Sequence, residues 1–381
     1  FQEASSAPVS DVMMRITTAA EIHAQSIAIK GQRESWSYAE LGAGVQRLAS
    51  HLKQQAVSGA RVACLVSRTA QLPLSLLSVL TAKCSFSIID IRYPLSKIKY
   101  YLTALNADYV IVDESVVEIA ALSDFLESQF NNRCLVLPES KAAFFAHDVL
   151  NIGIDDTVSD QKDIDRLVRN IPLSEVAYYG FTSGTQGEPK LIANDLTPLS
   201  HFVDWYEQEF QLGADDCFSL LSGVAHDPVL RDIFVPLAMG ATLCIPEQNE
   251  LLEPGYLSQW ITQNKVTVAH LTPSMGELMV QSWNEKAACL RLVCFGGEKL
   301  HFSQAQEFAL FADSAQLVNF YGATETPQAI AFERIDMEQT MGRSNIIPIG
   351  KGIEGAELVI VNANLNPVGV SEVGEIVVRT P

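Results

Sequence analysis

Short apolar runs rich in β-branched residues alternate along the chain with stretches whose apolar residues recur at helical spacing. "RVACLVS" (61–67) precedes the helix-like "LPLSLLSVLTAK" (72–83), then come "CSFSIID" (84–90), the helix-like "LSKIKYYLTAL" (95–105) and "ADYVIVD" (107–113). This order of strand, helix, strand, helix, strand predicts a parallel sheet covered by helices. The pattern resumes with "CFSLLS", a helix from about Pro228, "ATLCIP", a helix near 256–263, "VTVAHLTP", a helix near 275–282, "LRLVCFGG" and "AQLVNFYG". Two α/β lobes with mainly parallel sheets are therefore expected. After about Arg343, "AELVIVNANLNPVGVSEVGEIVVRT" sets strand-like runs between turn residues without a helix, which predicts a small β-rich lobe. The expected division is 1–170 for the first lobe and a connector, 171–343 for the second lobe, and 344–381 for the start of the third. The connector is placed in the more polar stretch from 122 to 175. The opening "FQEASSAPVSDVMM" reads as a flexible lead-in, because it has neither the basic start nor the apolar run of a signal peptide.

Composition narrows the partners. The formal net charge is −19 over 381 residues, with a pI of about 4.7. Such a surface repels nucleic acid and anionic lipid, and any anionic ligand must be held by a local electropositive site. No 18-residue apolar run occurs, so no membrane span is expected. Seven cysteines are scattered, without a C-x-x-C pair, and read as buried thiols of a reducing, cytoplasmic protein.

One loop carries chemistry. "YYGFTSGTQGEPKLIA" (178–193) follows a strand-like run and packs Thr182, Ser183, Gly184, Thr185, Gly187 and Lys190 into nine residues. Glycines allow close backbone approach, consecutive N–H groups can converge on an anion, and the hydroxyls and Lys190 add donors and charge. The spacing is not that of a P-loop. Taken alone, the stretch also reads as an ordinary surface turn.

"FTSGTQGEPK" resembles the phosphate loop of adenylate-forming enzymes: adenylation domains of nonribosomal peptide synthetases, acyl-CoA synthetases and luciferases. Further segments match the adenylation-domain series in order: "WSYAEL" (36–41), "LTAKCSFSIIDIRYP" (80–94), "CFGGEKL" (294–300), "NFYGATE" (319–325), "IPIGKGI" and "GEIVV". The resemblance spans essentially the whole chain, with Gln186 departing from the family's usual threonine. It implies the large N-terminal domain of the adenylate-forming fold, with ATP and Mg²⁺ as cofactors. It also implies formation of an aminoacyl-adenylate with release of pyrophosphate, then transfer to a carrier-protein phosphopantetheine thiol. Neighbouring synthetase domains are the implied partners, and a small MbtH-like helper is a further one that the resemblance admits.

By the same resemblance, Thr182, Lys190, Thr324 and Glu325 would be catalytic. The stretch from Thr182 to Lys190 would hold the β- and γ-phosphates, and Thr324 would touch the α-phosphate. Tyr321 would stack on adenine, with Gly296, Gly297, Glu298, Asn319 and Gly322 along the nucleotide, and Glu325 would bind Mg²⁺. The family's ribose-binding aspartate, hinge and catalytic-lysine subdomain have no counterpart up to Pro381, so poor turnover by these residues alone is expected.

The stretch "GVAHDPVLRDIF" (223–234) sets two carboxylates and a guanidinium between apolar runs. Asp227 before Pro228 suits a helix start, with the carboxylate capping free N–H groups and Arg231 one turn on, an ion pair worth about 0.2–0.5 kcal/mol. In the resemblance Asp227 falls where a carboxylate holds the substrate's α-ammonium. The remaining pocket positions are Pro228, Arg231, His270, Val293, Phe295, Phe320, Gln328 and Ala329. For Phe295, Phe320 and His270, plain core packing is the competing reading. The combination Asp227, Pro228, Arg231 and His270 resembles the adenylation domain of α-aminoadipate reductases, where an arginine would suit a distal carboxylate. Val293, Phe295, Phe320 and Gln328 depart from it. A polar or acidic α-amino acid is the expected substrate, with a bulkier apolar or aromatic one as competitor. An acyl- or aryl-CoA ligase would lack the carboxylate at 227, and a degenerate scaffold would not keep Lys190, Tyr321 and Glu325. A dehydrogenase is disfavoured because no G-x-G-x-x-G follows a strand.

Overall fold

The structure is a computed structural model describing residues 11–55, 58–146, 150–151, 176–182, 189–340 and 345–380. A seven-stranded sheet runs in the order Leu150–Asn151, Cys134–Leu137, Tyr109–Asp113, Arg61–Leu65, Ser85–Ile88, Tyr178–Thr182 and Lys190–Asn194. Its five inner strands are parallel and its two edge strands antiparallel. Helices Gln71–Thr81, Leu95–Leu105 and Ala120–Phe130 cross between the parallel strands. Where helices cover the sheet its central strands are apolar runs without alternation, as in the buried Val62–Leu65 and Cys134–Leu137.

A nine-stranded sheet lies beside it, in the order Ser35–Ser37, Ile27–Lys30, Thr242–Cys244, Cys217–Ser219, Val268–Leu271, Leu292–Phe295, Gln316–Ala323, Thr326–Arg334 and Lys351–Gly352. It is parallel from Ile27–Lys30 to Gln316–Ala323 and antiparallel beyond. Glu357–Val361 and Glu375–Arg379 form a separate antiparallel pair. Two large parallel-rich sheets and a small antiparallel one are thus the α/β architecture that the hydrophobic pattern predicts.

Three expectations differ from the structure. Sheet membership crosses the expected boundary near residue 170 in both directions: strands at 27–37 complete the nine-stranded sheet, and strands at 178–194 complete the seven-stranded one. The expected connector contains most of the helix Ala120–Phe130 and the buried strand Cys134–Leu137, whose short apolar run is masked by polar flanks; 152–175 lie outside the described residues. The expected lead-in reaches into a helix. Asp11 accepts from the N–H groups of Met13 and Met14 and caps Val12–Ile22, with Val12 fully buried.

Helix Pro228–Met239 is central. Every residue from Val229 to Met239 is buried, as expected of a helix enclosed on all sides. It packs between Val12–Ile22, Thr197–Phe210 and the nine-stranded sheet. The "WSYAEL" stretch braces its C-terminal end: Tyr38 Oη lies 2.7 Å from the Ala241 carbonyl and 3.2 Å from that of Pro236. Tyr38→Phe keeps the ring and removes this buried hydrogen bond. We expect a loss of about 1 kcal/mol, read as a lower urea midpoint at unchanged m-value.

Candidate functional site

The site begins where the nine-stranded sheet ends. Asp227 stands at the N-terminus of Pro228–Met239, half-buried, with Pro228 in the first turn. Its carboxylate does not cap the helix. Asp227 is already helical (φ −52°, ψ −29°), and the N–H groups of Val229 and Leu230 are met by the carbonyls of His226 and Asp227. The carboxylate is left free, and Oδ1 accepts from Thr324 Oγ1 at 3.1 Å. The expected pair with Arg231 does not form either, because Arg231 turns into the core.

Thr324 sits in the tight turn between strands Gln316–Ala323 and Thr326–Arg334, whose register shifts between Tyr321 and Ala323. This bulge places Gln328 at φ +70°, buried, with Nε2 3.4 Å from the Asp227 carbonyl and Oε1 without a partner. Gly322 faces it: a Cβ there would lie 2.0 Å from the Gln328 carbonyl, so only glycine fits. The turn also meets the seven-stranded sheet, since a Cβ on Gly180 would lie 3.1 Å from Thr324 Cγ2.

Below Asp227 lies a buried polar chain. Asp232, fully buried, accepts at 2.8 Å from His270 Nδ1 and at 3.2 and 2.9 Å from the N–H groups of Leu221 and Ser222. His270 Nε2 is 2.9 Å from Tyr206 Oη, which is 3.2 Å from Cys294 Sγ. Burial, aided by the nearby Arg231, pulls the His270 pKa below its usual value despite Asp232. The imidazole is therefore neutral, donating from Nδ1 and accepting from Tyr206 at Nε2. Both ring nitrogens are spent inside the protein, so His270 offers a ligand only its ring face.

Arg231 is 6% exposed, its Nε has no hydrogen-bond partner, and no ion pair to it occurs among the described residues. Its guanidinium carbon lies 5.6 Å from the centroid of the Phe320 ring. A cation–π contact of about 2 kcal/mol does not offset the several kcal/mol lost by desolvating a charge. Phe320 and Ala329 are both buried in the larger core cluster. Val293 and Phe295 are not brought to this side. They pack in a different cluster, with Phe295 edge-on to Phe308, while alternation along Leu292–Phe295 turns Cys294 toward Tyr206.

Among the residues expected to meet a nucleotide, Thr182 and Lys190 face each other in register on adjacent antiparallel strands, at the base of a hairpin. Ser183, Gly184, Thr185 and Gly187 lie outside the described residues. Tyr321 is half-buried and Glu325 exposed. Gly297 has φ +83° and is exposed, while Gly296 is buried, with a Cβ position 3.9 Å from an Arg231 nitrogen. Glu298 is engaged by Ser274 Oγ at 2.6 Å and its N–H at 3.3 Å, at the start of helix Pro273–Val280. Asn319 is buried, and its amide donates to the carbonyls of Pro348 (2.8 Å) and Ile347 (3.4 Å). An exposed carboxylate beside a hydroxyl, a glycine turn open to solvent and a lysine at the hairpin base fit a magnesium nucleotide. Sequence reasoning missed Tyr206, Tyr178 and Cys294. It noted Asp232 without a role, although an acid within an otherwise apolar helix signals an obligatory buried partner. A polar groove of about 350 Å³, lined by Ser258, Gln259, Gln263, Asn284 and Glu285, shares no residue with this site.

The family model described as AMP-binding enzyme matches residues 16–381. The chain belongs to the AMP-binding enzyme family. Within it, L-2-aminoadipate reductase of Schizosaccharomyces pombe is 30% identical over 367 residues, covering 93% of this chain and 26% of that protein. One component of the linear gramicidin synthase of Brevibacillus parabrevis is 26% identical over 363 residues, covering 95% of this chain and 4% of that protein. The chain thus spans about a quarter or less of these AMP-binding relatives. The nonribosomal peptide synthetase FmoA3 (S1046A) shares the fold at a TM-score of 0.82 and 22% identity, covering 99% of this chain and 38% of that one. An AMPPNP-bound form of FmoA3 gives the same TM-score. Among the described residues no helix is long and apolar enough to cross a membrane.

A histidine held neutral by burial makes stability depend on pH. Below about pH 6.5 the unfolded chain takes up a proton that folded His270 refuses. Its contribution is whole above that pH and drains away as pH falls. His270→Gln keeps a donor for Asp232 and cannot titrate. We expect it to flatten the fall in Tm between about pH 7 and 5.5, measured by calorimetry; an unchanged slope would show that His270 does not cause it.

Proposed function

We propose that this chain binds Mg²⁺-ATP and an α-amino acid with an acidic side chain, and activates the amino acid's carboxylate as its adenylate. The observation that carries the substrate class is Arg231, a buried guanidinium without an anionic partner among the described residues, one helical turn beyond the half-buried Asp227. A ligand with an ammonium at one end and a carboxylate at the other complements this pair. Arg231 would take the distal carboxylate in a two-pronged hydrogen bond. Asp227 would accept from the α-ammonium as the Thr324 hydroxyl turns toward phosphate. ATP supplies the α-phosphorus for attack by the substrate carboxylate. Thr182, Lys190 and the glycine-rich loop between them would neutralise the outer phosphates locally, against the net charge of −19. Glu325 would hold the Mg²⁺ and Tyr321 the adenine. The names of the aminoadipate reductase and gramicidin synthase relatives support amino-acid activation, and by that likeness a carrier-protein thiol would receive the acyl group, with neighbouring synthetase domains and an MbtH-like helper as further partners.

Calorimetric titration of the chain with L-2-aminoadipate, L-glutamate, L-leucine and L-phenylalanine, each with Mg²⁺-ATP present, tests the reading. Binding of the acidic pair alone is expected, and selective binding of leucine or phenylalanine would refute the acidic class. Asp227→Asn should weaken amino-acid binding at least ~10-fold, as loss of a charge-assisted pair does. Arg231→Met should abolish acidic-side-chain binding without lowering Tm, because it removes an uncompensated buried charge. A lower Tm with intact selectivity would mean that the guanidinium serves the fold and not the ligand.

A further inference from the structure

One buried cation outside the pocket takes no part in the proposed activation. Arg68 follows strand Arg61–Leu65 of the seven-stranded sheet and is 5% exposed. Its Nη1 donates to the carbonyl of Leu220, and its Nε donates at 2.8 Å to Gln248 Oε1. Leu220 and Gln248 both follow strands of the other sheet, Cys217–Ser219 and Thr242–Cys244. Burial lowers the Arg68 pKa to about 10, opposed by the attraction of Asp232 and Asp90, so the group stays charged at neutral pH. Asp90 is itself bound by Arg92 through Nε and Nη2.

The backbone that Arg68 grips is the backbone that Asp232 grips. Leu220 gives its carbonyl to Arg68, and the next two N–H groups, of Leu221 and Ser222, go to Asp232. Two consecutive peptide units are thus held from both sides, by a cation of one sheet and an anion of the helix that packs on the other. Five residues later the chain reaches Asp227, after a turn closed by the His226 N–H on the Gly223 carbonyl. Asp232 lies on the same helix as Asp227 and Arg231, so the loop is pinned at its start and at its end.

We infer that Arg68 is a positioning residue for the amino-acid site: by holding the Leu220 carbonyl against the Asp232 grip on Leu221 and Ser222, it fixes the loop that delivers Asp227. It touches neither ligand. The inference rests on the amino-acid reading of Asp227 and ties the geometry of the anchor to the first sheet, which carries the base of the phosphate-loop hairpin.

The test uses Arg68→Gln, Arg68→Lys and Gln248→Leu, with L-2-aminoadipate and Mg²⁺-AMPPNP as probes. Gln248→Leu removes the other Arg68 contact without touching the loop and controls for a mere tie between sheets. Expected is a weakening of L-2-aminoadipate binding by ~10-fold in Arg68→Gln, a nucleotide Kd changed by less than ~2-fold, and recovery in Arg68→Lys. Hydrogen exchange at the Leu221 and Ser222 amides should speed up in Arg68→Gln and stay slow in Gln248→Leu. Parallel weakening of both ligands, or equal effects of Arg68→Gln and Gln248→Leu, would make Arg68 a general brace and overturn the inference. If the wild-type chain binds no amino acid, the proposed function fails by itself. The exchange measurement then decides for Arg68, and unchanged protection at Leu221 and Ser222 in Arg68→Gln sinks it.

Discussion

A fully buried carboxylate in a helix buried along nearly its whole length sets the terms for everything around it. Asp232 is tolerable there because three donors meet it: one imidazole nitrogen and two backbone N–H groups. Each donor has a structural result. His270 is fixed in one tautomer, Tyr206 is held against the Phe320 ring, and the loop before the helix is tied to the helix through the Leu221 and Ser222 amides. The neighbouring side chain, Arg231, then has no anion to turn to among the described residues. The helix thus satisfies one charge completely and leaves the next one unsatisfied, and the proposed binding role of this core element rests on that asymmetry.

Gly180 of the seven-stranded sheet admits the Thr324 side chain of the nine-stranded one, and within the latter Gly322 admits the Gln328 backbone. Tyr178, on the same face of its strand as Gly180, is buried and stacked on Phe86 at 5.7 Å between ring centroids. Burial first, and then the Asp227 carboxylate, hold its phenol well above the usual tyrosine range. Asp227 and the strand that leads into the glycine-rich stretch thus lie close together, where the ends of parallel strands commonly leave a crevice.

The parallel strands and their crossover helices were legible because burial on both faces gives them continuous apolar runs. Cys134–Leu137 was hidden because four residues among polar neighbours carry no periodicity. The strands at 27–37 escaped notice because pairing across such sequence distances leaves no local trace. The same limit governs the site. Asp227 and Arg231 stood out by type, yet whether Asp227 caps its helix depended on backbone dihedrals that the Asp-Pro pair does not reveal. Val293 and Phe295 illustrate the period-2 hazard: strand alternation sends them into the opposite layer and brings Cys294 round. The tie of Asn319 to Ile347 and Pro348 needed the fold, since its partners are 28 and 29 residues away.

The shift in register between Tyr321 and Ala323 sets three extra residues on the second strand, and this irregularity carries Gln328 in its positive-φ, buried position. A β-ladder with one residue fewer on that side would turn Gln328 outward and offer its neighbour instead, while Gly322 would lose the carbonyl it accommodates. The hairpin can thus change its chemistry by replacement but not its length. The stretch around Val370 and Val373, 99% and 98% exposed, is under no such constraint. Over evolutionary time, insertions and deletions should collect in the second segment and be purged from the first.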